Sequence, residues 1–200
     1  LQFSATLAGV EVHVVGMKDA PEEGTPKVEF DYGDKVKAFH EYMEMHGSES
    51  GAPGAIHDND VIVMIDAYDV LLLPNARQIG RRFQRTAQHP IVFCTEHGVY
   101  PEFPSAFVGQ RGDAHDTADE SDDTKDLALG TKFLNSGCVV GRAGQMKAMV
   151  HAAHVNRDVF KNDQQFYVRY QLSYPDLIGL DYSQSMFYTG HKQLSCQTLL

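Results

Sequence analysis

A buried run that ends in two carboxylates is the feature that most constrains how this chain can fold. Val61 to Ile65 are five consecutive apolar residues, and most of them are β-branched. A short run of this kind is typical of a parallel strand that is buried on both faces. Asp66 and Asp69 follow directly, where the strand ends. In open α/β sheets ligands bind beyond the carboxyl ends of the strands, so this point of the chain is a candidate site.

The two aspartates have a functional and a structural interpretation. Neighbouring carboxylates repel each other and are costly to desolvate unless a cation or a hydrogen-bond donor lies between them. Functionally, they predict a divalent-metal site for a phosphate-bearing ligand, because hard oxygen ligands suit Mg²⁺ and Mn²⁺. Structurally, they form a turn whose side chains cap the helix that begins near Asn75. The local pattern gives the two interpretations equal weight.

Length and charge narrow the class of protein. The 200 residues are best interpreted as one domain, with an acidic surface excursion at residues 111–126. The net charge of −10, without a basic patch, argues against a nucleic-acid partner. No apolar run approaches the roughly 18 residues of a membrane-spanning helix. Cys94 and Cys138 lie in apolar runs and are expected to be buried thiols, with no metal-binding spacing to Cys196.

Strand and helix patterns alternate along the chain. Strands are predicted at Val10–Val15, Val61–Ile65, Ile91–Thr95, Phe133–Val140, Leu177–Asp181 and Met186–Tyr188, and helices after Gly33-Asp34 and at Pro74–Gln88, Gly144–Val155 and Gln165–Leu172. This order predicts an α/β fold with a mainly parallel sheet and helices on both faces.

Further polar residues lie at the ends of these elements. Lys35 falls in the first turn of a helix, where a cation opposes the helix dipole but could reach an anion. Glu96 ends the second buried strand. Asn135 and Ser136 interrupt an apolar strand just before Gly137, which marks a β-bulge or a close approach of backbone to ligand. Both polar residues are therefore site candidates, against the alternative of an edge bulge.

Two more groups of polar residues lie on or beside predicted helices, and their positions there indicate their roles. Asn162-Asp163-Gln164 precedes a helix, so Asp163 is interpreted as a capping or first-turn carboxylate with a possible further role. His151 and His154 are an i, i+3 pair on a predicted helix. Since no third ligand is near in sequence, we interpret this pair as a solvated face rather than a metal site.

Five motifs occur together in one order. They are Ile-Asp-Ala-Tyr-Asp-Val at 65–70, Phe-Cys-Thr-Glu at 93–96, Phe-Leu-Asn-Ser-Gly at 133–137, Asn-Asp-Gln-Gln-Phe-Tyr at 162–167 and Leu-Asp-Tyr at 180–182. Over nearly the whole chain, the set resembles the glycosyltransferase domain of the procollagen lysyl hydroxylases and the related collagen glycosyltransferases. The resemblance implies a GT-A-like, Rossmann-like fold and a UDP-sugar donor with Mn²⁺, or Mg²⁺, as the metal. It also implies a hydroxyl acceptor, such as hydroxylysine or galactosyl-hydroxylysine of a collagen-like protein, and the lumen of the secretory pathway.

The resemblance also implies roles for individual residues. Asp66 and Asp69 match the metal-binding Asp-x-x-Asp, and Tyr68 matches the aromatic residue that packs on uracil. Lys35 matches a lysine that contacts the nucleotide. Glu96 and Asn135 match positions in the donor pocket, and Ser136 lies beside Asn135. Asp163 matches an acidic residue near the transferred sugar.

Three departures from the family pattern have consequences. Tyr100 stands where the family usually has Trp, so the sugar subsite is expected to differ. Asn162 replaces one Asp of an acidic run. The family's third metal ligand, a His, is expected beyond Leu200 and its first strand upstream of Leu1, so the domain is expected to be incomplete at both ends. A non-catalytic module that binds a UDP-sugar or a glycan is the alternative function.

Overall fold

The computed structural model describes residues 5–6, 8–16, 32–47, 54–67, 69–98, 133–160 and 162–189. The elements are α1 (Tyr32–His46), β1 (Val61–Ile65), α2 (Ile79–Thr86), β2 (Ile91–Glu96), β3 (Phe133–Arg142), α3 (Ala143–Val155), α4 (Asp163–Ser173) and β4 (Ile178–Leu180). Tyr68, Tyr100 and the predicted excursion at 111–126 lie outside the described residues. None of the helices in the described ranges is long and apolar enough to cross a membrane.

The four strands form one mixed sheet in the order β1-β3-β2-β4. β3 is antiparallel to both β1 and β2, whereas β4 is parallel to β2. The α/β class is confirmed, and the parallel character is confirmed only in part. β1, β2 and β4 share one direction, but two of the three pairings are antiparallel. Apolar runs predict burial on both faces and carry no information about strand direction, which is why the sequence did not reveal β3 as the reversed strand.

Strand direction places the candidate residues at one edge of the sheet. Asp66 and Asp181 follow the last residues of β1 and β4, and Glu96 ends β2. Because β3 runs the opposite way, its first half lies at this same edge, with Asn135 paired to Cys94. Polar residues from four strands therefore meet where three of the strands end.

Helices cover both faces of the sheet and bury its apolar side chains. On one face, α1, α3 and α4 pack against the sheet through side chains that include Val36, Met146, Met149, Phe166 and Tyr167. On the other face, Phe83 of α2 and the later Phe187 pack on Val92 and Val140. Cys94 is buried as predicted, while Cys138 is only half-buried. The site edge is thus supported by a core on each side.

Three element predictions are wrong in whole or in part. Residues 10–15 form no strand, and Val14 is exposed. The Val10 N–H donates to the Ala5 carbonyl oxygen, and none of the described strands pairs with this segment, as a strand would require. Residues 186–188 are not a strand either, because backbone N–H groups there donate to the Asp181 carboxylate. The helix predicted from Pro74 starts as a 3-10 turn at Ala76–Gln78 and becomes α-helical only at Ile79.

Candidate functional site

One lysine joins two aspartates at the site edge. Lys35 Nζ lies 2.7 Å from Asp66 Oδ1 and 2.8 Å from Asp163 Oδ2. It also donates to the Ser136 carbonyl oxygen at 3.4 Å. The Asp163 side chain is 2% exposed and that of Lys35 14%, whereas that of Asp66 is 38% exposed. The predicted reach of Lys35 toward an anion is therefore realised in the fold by two carboxylates.

The charges of this group shift one another's pKa. Burial lowers the pKa of Lys35, but the carboxylates of Asp163 and Asp66 outweigh it, so that the pKa is raised above its ordinary value. Burial also raises the pKa of Asp66; Lys35 opposes this rise, and Asp163 and Asp69 add to it. Lys35 is therefore firmly charged, and the carboxylates around Asp66 carry more negative charge than this one ammonium balances.

A second network fixes Glu96. Its Oε2 accepts from Asn135 Nδ2 at 3.1 Å, and its Oε1 accepts from Gln164 Nε2 at 2.6 Å. The carbonyl end of the Gln164 amide accepts from the Ser136 backbone N–H at 3.0 Å and from Ser136 Oγ at 3.4 Å. Glu96, Asn135 and Ser136, which the sequence singled out separately, are thus brought together by the side chain of Gln164.

Gly137 shapes the backbone between the two networks. Its N–H donates to Asn135 Oδ1 at 2.8 Å, and its carbonyl accepts from the Asp66 N–H at 2.8 Å. A Cβ atom at Gly137 would lie 2.9 Å from Asn135 Oδ1 and 3.3 Å from Asp66 Oδ2. The pairing register of β2 and β3 shifts at this point, between Phe93 and Cys94. The predicted bulge is confirmed, and a side chain at Gly137 would displace the Asn135 amide from its place there.

The start of α4 shows which of the two structural alternatives holds for Asp163: it is a first-turn carboxylate and not the N-cap. Asn162 is the N-cap, and its side chain accepts from the Gln165 N–H at 2.8 Å. Asp163 is the first helical residue instead; its Oδ1 accepts from the Gln164 N–H at 3.0 Å, and its other oxygen faces Lys35. A carboxylate in the first turn is favoured by the helix dipole. The capping function and the inward carboxylate therefore belong to two different residues.

Three residues around the site were not singled out from the sequence. Gln164 joins the second network, and Tyr167 is fully buried beside Lys35 and Asp66 in the same pocket. Burial, with the Asp163 and Asp66 carboxylates, raises the pKa of the Tyr167 hydroxyl. Asp181, also buried, holds the turn that follows β4. Gln164 and Tyr167 lie in the motif at 162–167 and Asp181 in the motif at 180–182, but nothing in these motifs singled out the three side chains individually.

The two predicted metal ligands differ in their surroundings. Asp66 is half-buried and has Lys35 on one oxygen, whereas Asp69 is exposed and acts on Asp66 through its charge. Within the described ranges, no group of three or more His, Cys, Asp or Glu side chains is arranged to hold a metal ion. Asp66 and Asp69 could therefore supply two oxygen ligands, and a bound ion would need further ligands from elsewhere.

Known proteins resemble this chain in sequence. The family model described as the PLOD GT domain matches residues 1–106. The rat multifunctional procollagen lysine hydroxylase and glycosyltransferase LH3 is 24% identical over 160 residues, which cover 78% of this chain and 18% of that protein. An uncharacterised protein of Acanthamoeba polyphaga mimivirus is 28% identical over 134 residues, 66% of this chain and 25% of that protein. The chain thus spans a quarter or less of the length of these relatives.

The matched region contains the part of the site built by α1, β1 and β2. Lys35, Asp66, Asp69 and Glu96 all lie within residues 1–106. These residues come together in the fold with Asn135 and Asp163 from the remainder of the chain. The family match covers more than half of the chain and agrees with the motifs and with the α/β fold. The chain belongs to the PLOD GT domain family, a family of glycosyltransferases.

Proposed function

We propose that this chain is a metal-dependent glycosyltransferase that moves a hexose, glucose or galactose, from a UDP-sugar to a hydroxyl acceptor. The observation that carries the proposal is the Lys35 ammonium, held between Asp66 and Asp163 at the edge where β1 and β2 end. The name of the rat relative refers to procollagen lysine, so hydroxylysine or galactosyl-hydroxylysine of a collagen-like protein is the proposed acceptor.

The carboxylates around Asp66 support a divalent cation. Burial raises the pKa of Asp66, and the negative charges of Asp163 and Asp69 add to this rise because each repels the Asp66 carboxylate. A cation held by Asp66 and Asp69 would relieve this repulsion, and Mn²⁺ or Mg²⁺ suits their hard oxygen atoms. When bound, the metal supplies Lewis-acid stabilisation of the charge that develops on the departing UDP.

Lys35 is the residue that binds the diphosphate of the donor. Its ammonium lies 2.8 Å from the Asp163 carboxylate, whose side chain is only 2% exposed. When phosphate oxygens compete for the ammonium, Lys35 turns from Asp163 toward them, and the carboxylate becomes accessible to the sugar. Tyr68 stacks on the uracil ring and Tyr100 shapes the sugar subsite in this proposal, on the family resemblance.

Asp163 and Glu96 have different roles beside the sugar in this proposal. Glycosyl transfer passes through an oxocarbenium-like state, which a fixed carboxylate stabilises electrostatically. Asp163, held at the start of α4, takes that role; in an inverting mechanism it would instead accept the proton of the acceptor hydroxyl. Glu96, oriented by Asn135 and Gln164, accepts hydrogen bonds from the bound donor.

The decisive assay measures UDP release from UDP-glucose and UDP-galactose with Mn²⁺. Asp69→Asn should abolish Mn²⁺-dependent UDP binding in calorimetry, while the thermal midpoint stays or rises because one repelling charge is gone. Asp176→Asn is the matched control, since Asp176 is exposed and precedes β4 at the opposite sheet edge. Unchanged Mn²⁺-dependent binding in Asp69→Asn would exclude this metal assignment.

The stacking role of Tyr68 has its own test. Tyr68→Phe keeps the flat ring and should bind UDP nearly as well as the parent, whereas Tyr68→Ala should lose ~1–3 kcal/mol of binding free energy. Calorimetric titration with UDP measures both variants. Equal losses in the two would show that the hydroxyl group acts rather than the ring.

A binding module without turnover is the second candidate function. Lys35 already occupies one oxygen of Asp66, and no three-residue metal group is present within the described ranges. The contact between Lys35 and Asp66 favours a pocket in which this ammonium, and no metal on Asp66, recognises the diphosphate of a UDP-sugar. UDP binding without UDP release in the same assay would establish this second function.

A further inference from the structure

Three histidine side chains join α1 to α3, away from the carboxylates of the site. His40 Nε2 lies 3.0 Å from His151 Nδ1. The His40 ring stacks on His154, with 4.4 Å between centroids and 9° between planes. His151 is exposed, as predicted for a solvated face, and His154 is half-buried, but both side chains also contact α1. We call His40, His151 and His154 the histidine cluster.

The charged groups around the histidine cluster are unevenly distributed. Arg157 Nη1 lies 3.1 Å from the ring nitrogens of His154, and Glu41 of α1 is the acid that acts on this ring. Burial is the main cause that lowers the pKa of His154. The charges of His40, Arg157 and His151 lower this pKa further, whereas that of Glu41 raises it. Arg157 also pairs with the exposed Asp158 at 3.8 Å, so the acids near this ring are Glu41 and Asp158, and the opposition to a proton comes from burial and from the neighbouring histidines and Arg157.

Other charged and titratable groups lie on the elements that pack around the histidine cluster. Lys147 of α3 pairs with Glu44 of α1 at 3.3 Å, and Lys37 approaches Glu41 at 3.8 Å. From α4, the carboxylate that meets α1 is Asp163, through Lys35. On the N-terminal segment, the Glu11–His13 pair approaches α1 at Tyr42, where the His13 ring centroid lies 5.9 Å from that of Tyr42. His46 stacks on the same tyrosine.

Protonation of the histidine cluster turns the interaction between α1 and α3 from attractive to repulsive. A hydrogen bond between two imidazole rings requires one neutral ring nitrogen as acceptor, so His40 and His151 cannot keep it when both are charged. Three imidazolium rings at these distances repel one another. The contact therefore holds α1 against α3 when the rings are neutral and pushes the helices apart when they are protonated.

The same helix carries Lys35, five positions before His40. We propose that the histidine cluster is a pH-sensitive contact that, on protonation, releases α1 from α3 and with it the ion pairs of Lys35 to Asp66 and Asp163. The proposal concerns the docking of α1 and is independent of whether the chain transfers a sugar.

The direction of the pH effect follows from proton linkage. The folded state holds His154 with a pKa below that of the unfolded chain, so the unfolded chain binds more protons. Stability then rises with pH, and the contact is complete above the ordinary histidine value of about 6.5 and is lost as the pH falls below it. Each unit of difference in pKa corresponds to about a tenfold change in the opening equilibrium.

Hydrogen exchange tests the release of α1. Amides of α1 between Val36 and Met43 are compared at about pH 7.5 and about pH 5.5, which bracket histidine titration, after correction for intrinsic exchange. We expect their protection to fall about tenfold at the lower pH while that of α2 does not change. His40→Gln and, as a second variant, His151→Gln should remove most of this response. His46→Gln, on the same helix outside the cluster, should keep it.

Lysine acylation tests the link to the site. The ratio of labelling at Lys35 to labelling at Lys37 is measured by mass spectrometry, because Lys37 lies on the same helix with its side chain 54% exposed and serves as internal reference. We expect the ratio to rise on acidification in the parent and to stay level in His40→Gln. An equal pH response in parent and variant, or a loss of protection shared by all elements, overturns the proposal. UDP release is not measured in either experiment, so either result leaves the proposed function standing.

Discussion

Two buried aspartates at the same edge of the sheet are stabilised in opposite ways. Asp181 and Asp163 are each 4% exposed. The Asp181 carboxylate accepts five hydrogen bonds, all from residues 183–187 just after it in the chain. Asp163 accepts one from the first turn of its own helix and is otherwise balanced by Lys35 of α1.

This difference separates a structural carboxylate from one that is available for function. The donors to Asp181 are mostly backbone groups of one turn, so nothing can replace them unless that turn unfolds. The partner of Asp163 is the end of a long, flexible side chain that an anionic ligand can attract away. Equal burial therefore says little about the role of a carboxylate, and the identity of its donors says more.

Removing Asp181 should have the largest effect on stability. Asp181→Ala leaves the N–H groups of Ser185, Met186 and Phe187 without their acceptor, and we expect a loss of about 4 kcal/mol in the free energy of unfolding. Urea denaturation followed by circular dichroism measures it. UDP affinity per folded molecule should not change. Reduced affinity in Asp181→Ala would mean that this carboxylate also belongs to the site.

Removing Lys35 should have the second-largest effect on stability. Lys35→Met leaves Asp163 as an uncompensated buried charge, and breaking a buried ion pair in this way typically costs about 3 kcal/mol or more. The double variant Lys35→Met/Asp163→Asn should recover much of the loss, because it contains no unpaired buried carboxylate at 163. Denaturant unfolding of the two variants side by side measures the recovery. A double variant no more stable than Lys35→Met would show that the cost arises from lost packing.

Asp163→Asn should act on turnover rather than on the fold. The amide oxygen can still accept from the Gln164 N–H, and the cap at Asn162 is untouched. Lys35 keeps Asp66 as a partner, so the loss in unfolding free energy should be smaller than in Lys35→Met. If Asp163 acts at the sugar, we expect kcat to fall about 100-fold with KM nearly unchanged, because the charge stabilises the transition state. Steady-state UDP release measures this split. A parent-like kcat would leave Asp163 a structural partner of Lys35, and Glu96 would be the next candidate.

Asn162→Ala should have the smallest effect. Loss of a side-chain cap costs about 1 kcal/mol, and kcat in UDP release should remain close to that of the parent. Thermal unfolding and the release assay together check this expectation. Together with Asp163→Asn, the variant separates two adjacent residues, one that starts the helix and one that faces the site. A strong loss of turnover in Asn162→Ala would mean that positioning of Asp163 depends on the cap.

The sequence determined the elements whose signals are local. β1 is confirmed at Val61–Ile65, and β2 and α3 begin and end within one residue of their predicted limits. Apolar runs and helical spacing suffice for this because burial of such residues is favourable in nearly any fold. The alternating pattern at Val10–Val15 failed because a strand also needs a neighbour, which local pattern cannot supply.

Only the tertiary structure decided which polar groups pair. Strand direction brings Asn135 beside Glu96, and the packing of α1 places Lys35 between Asp66 and Asp163. Asp181 could not be recognised as a structural residue, since a carboxylate after a strand has the same sequence appearance whether it holds a turn or a ligand. The partners of Lys35 and Glu96 lie far away in sequence, so their geometry depends on how the elements pack, whereas the elements themselves follow from residues next to one another.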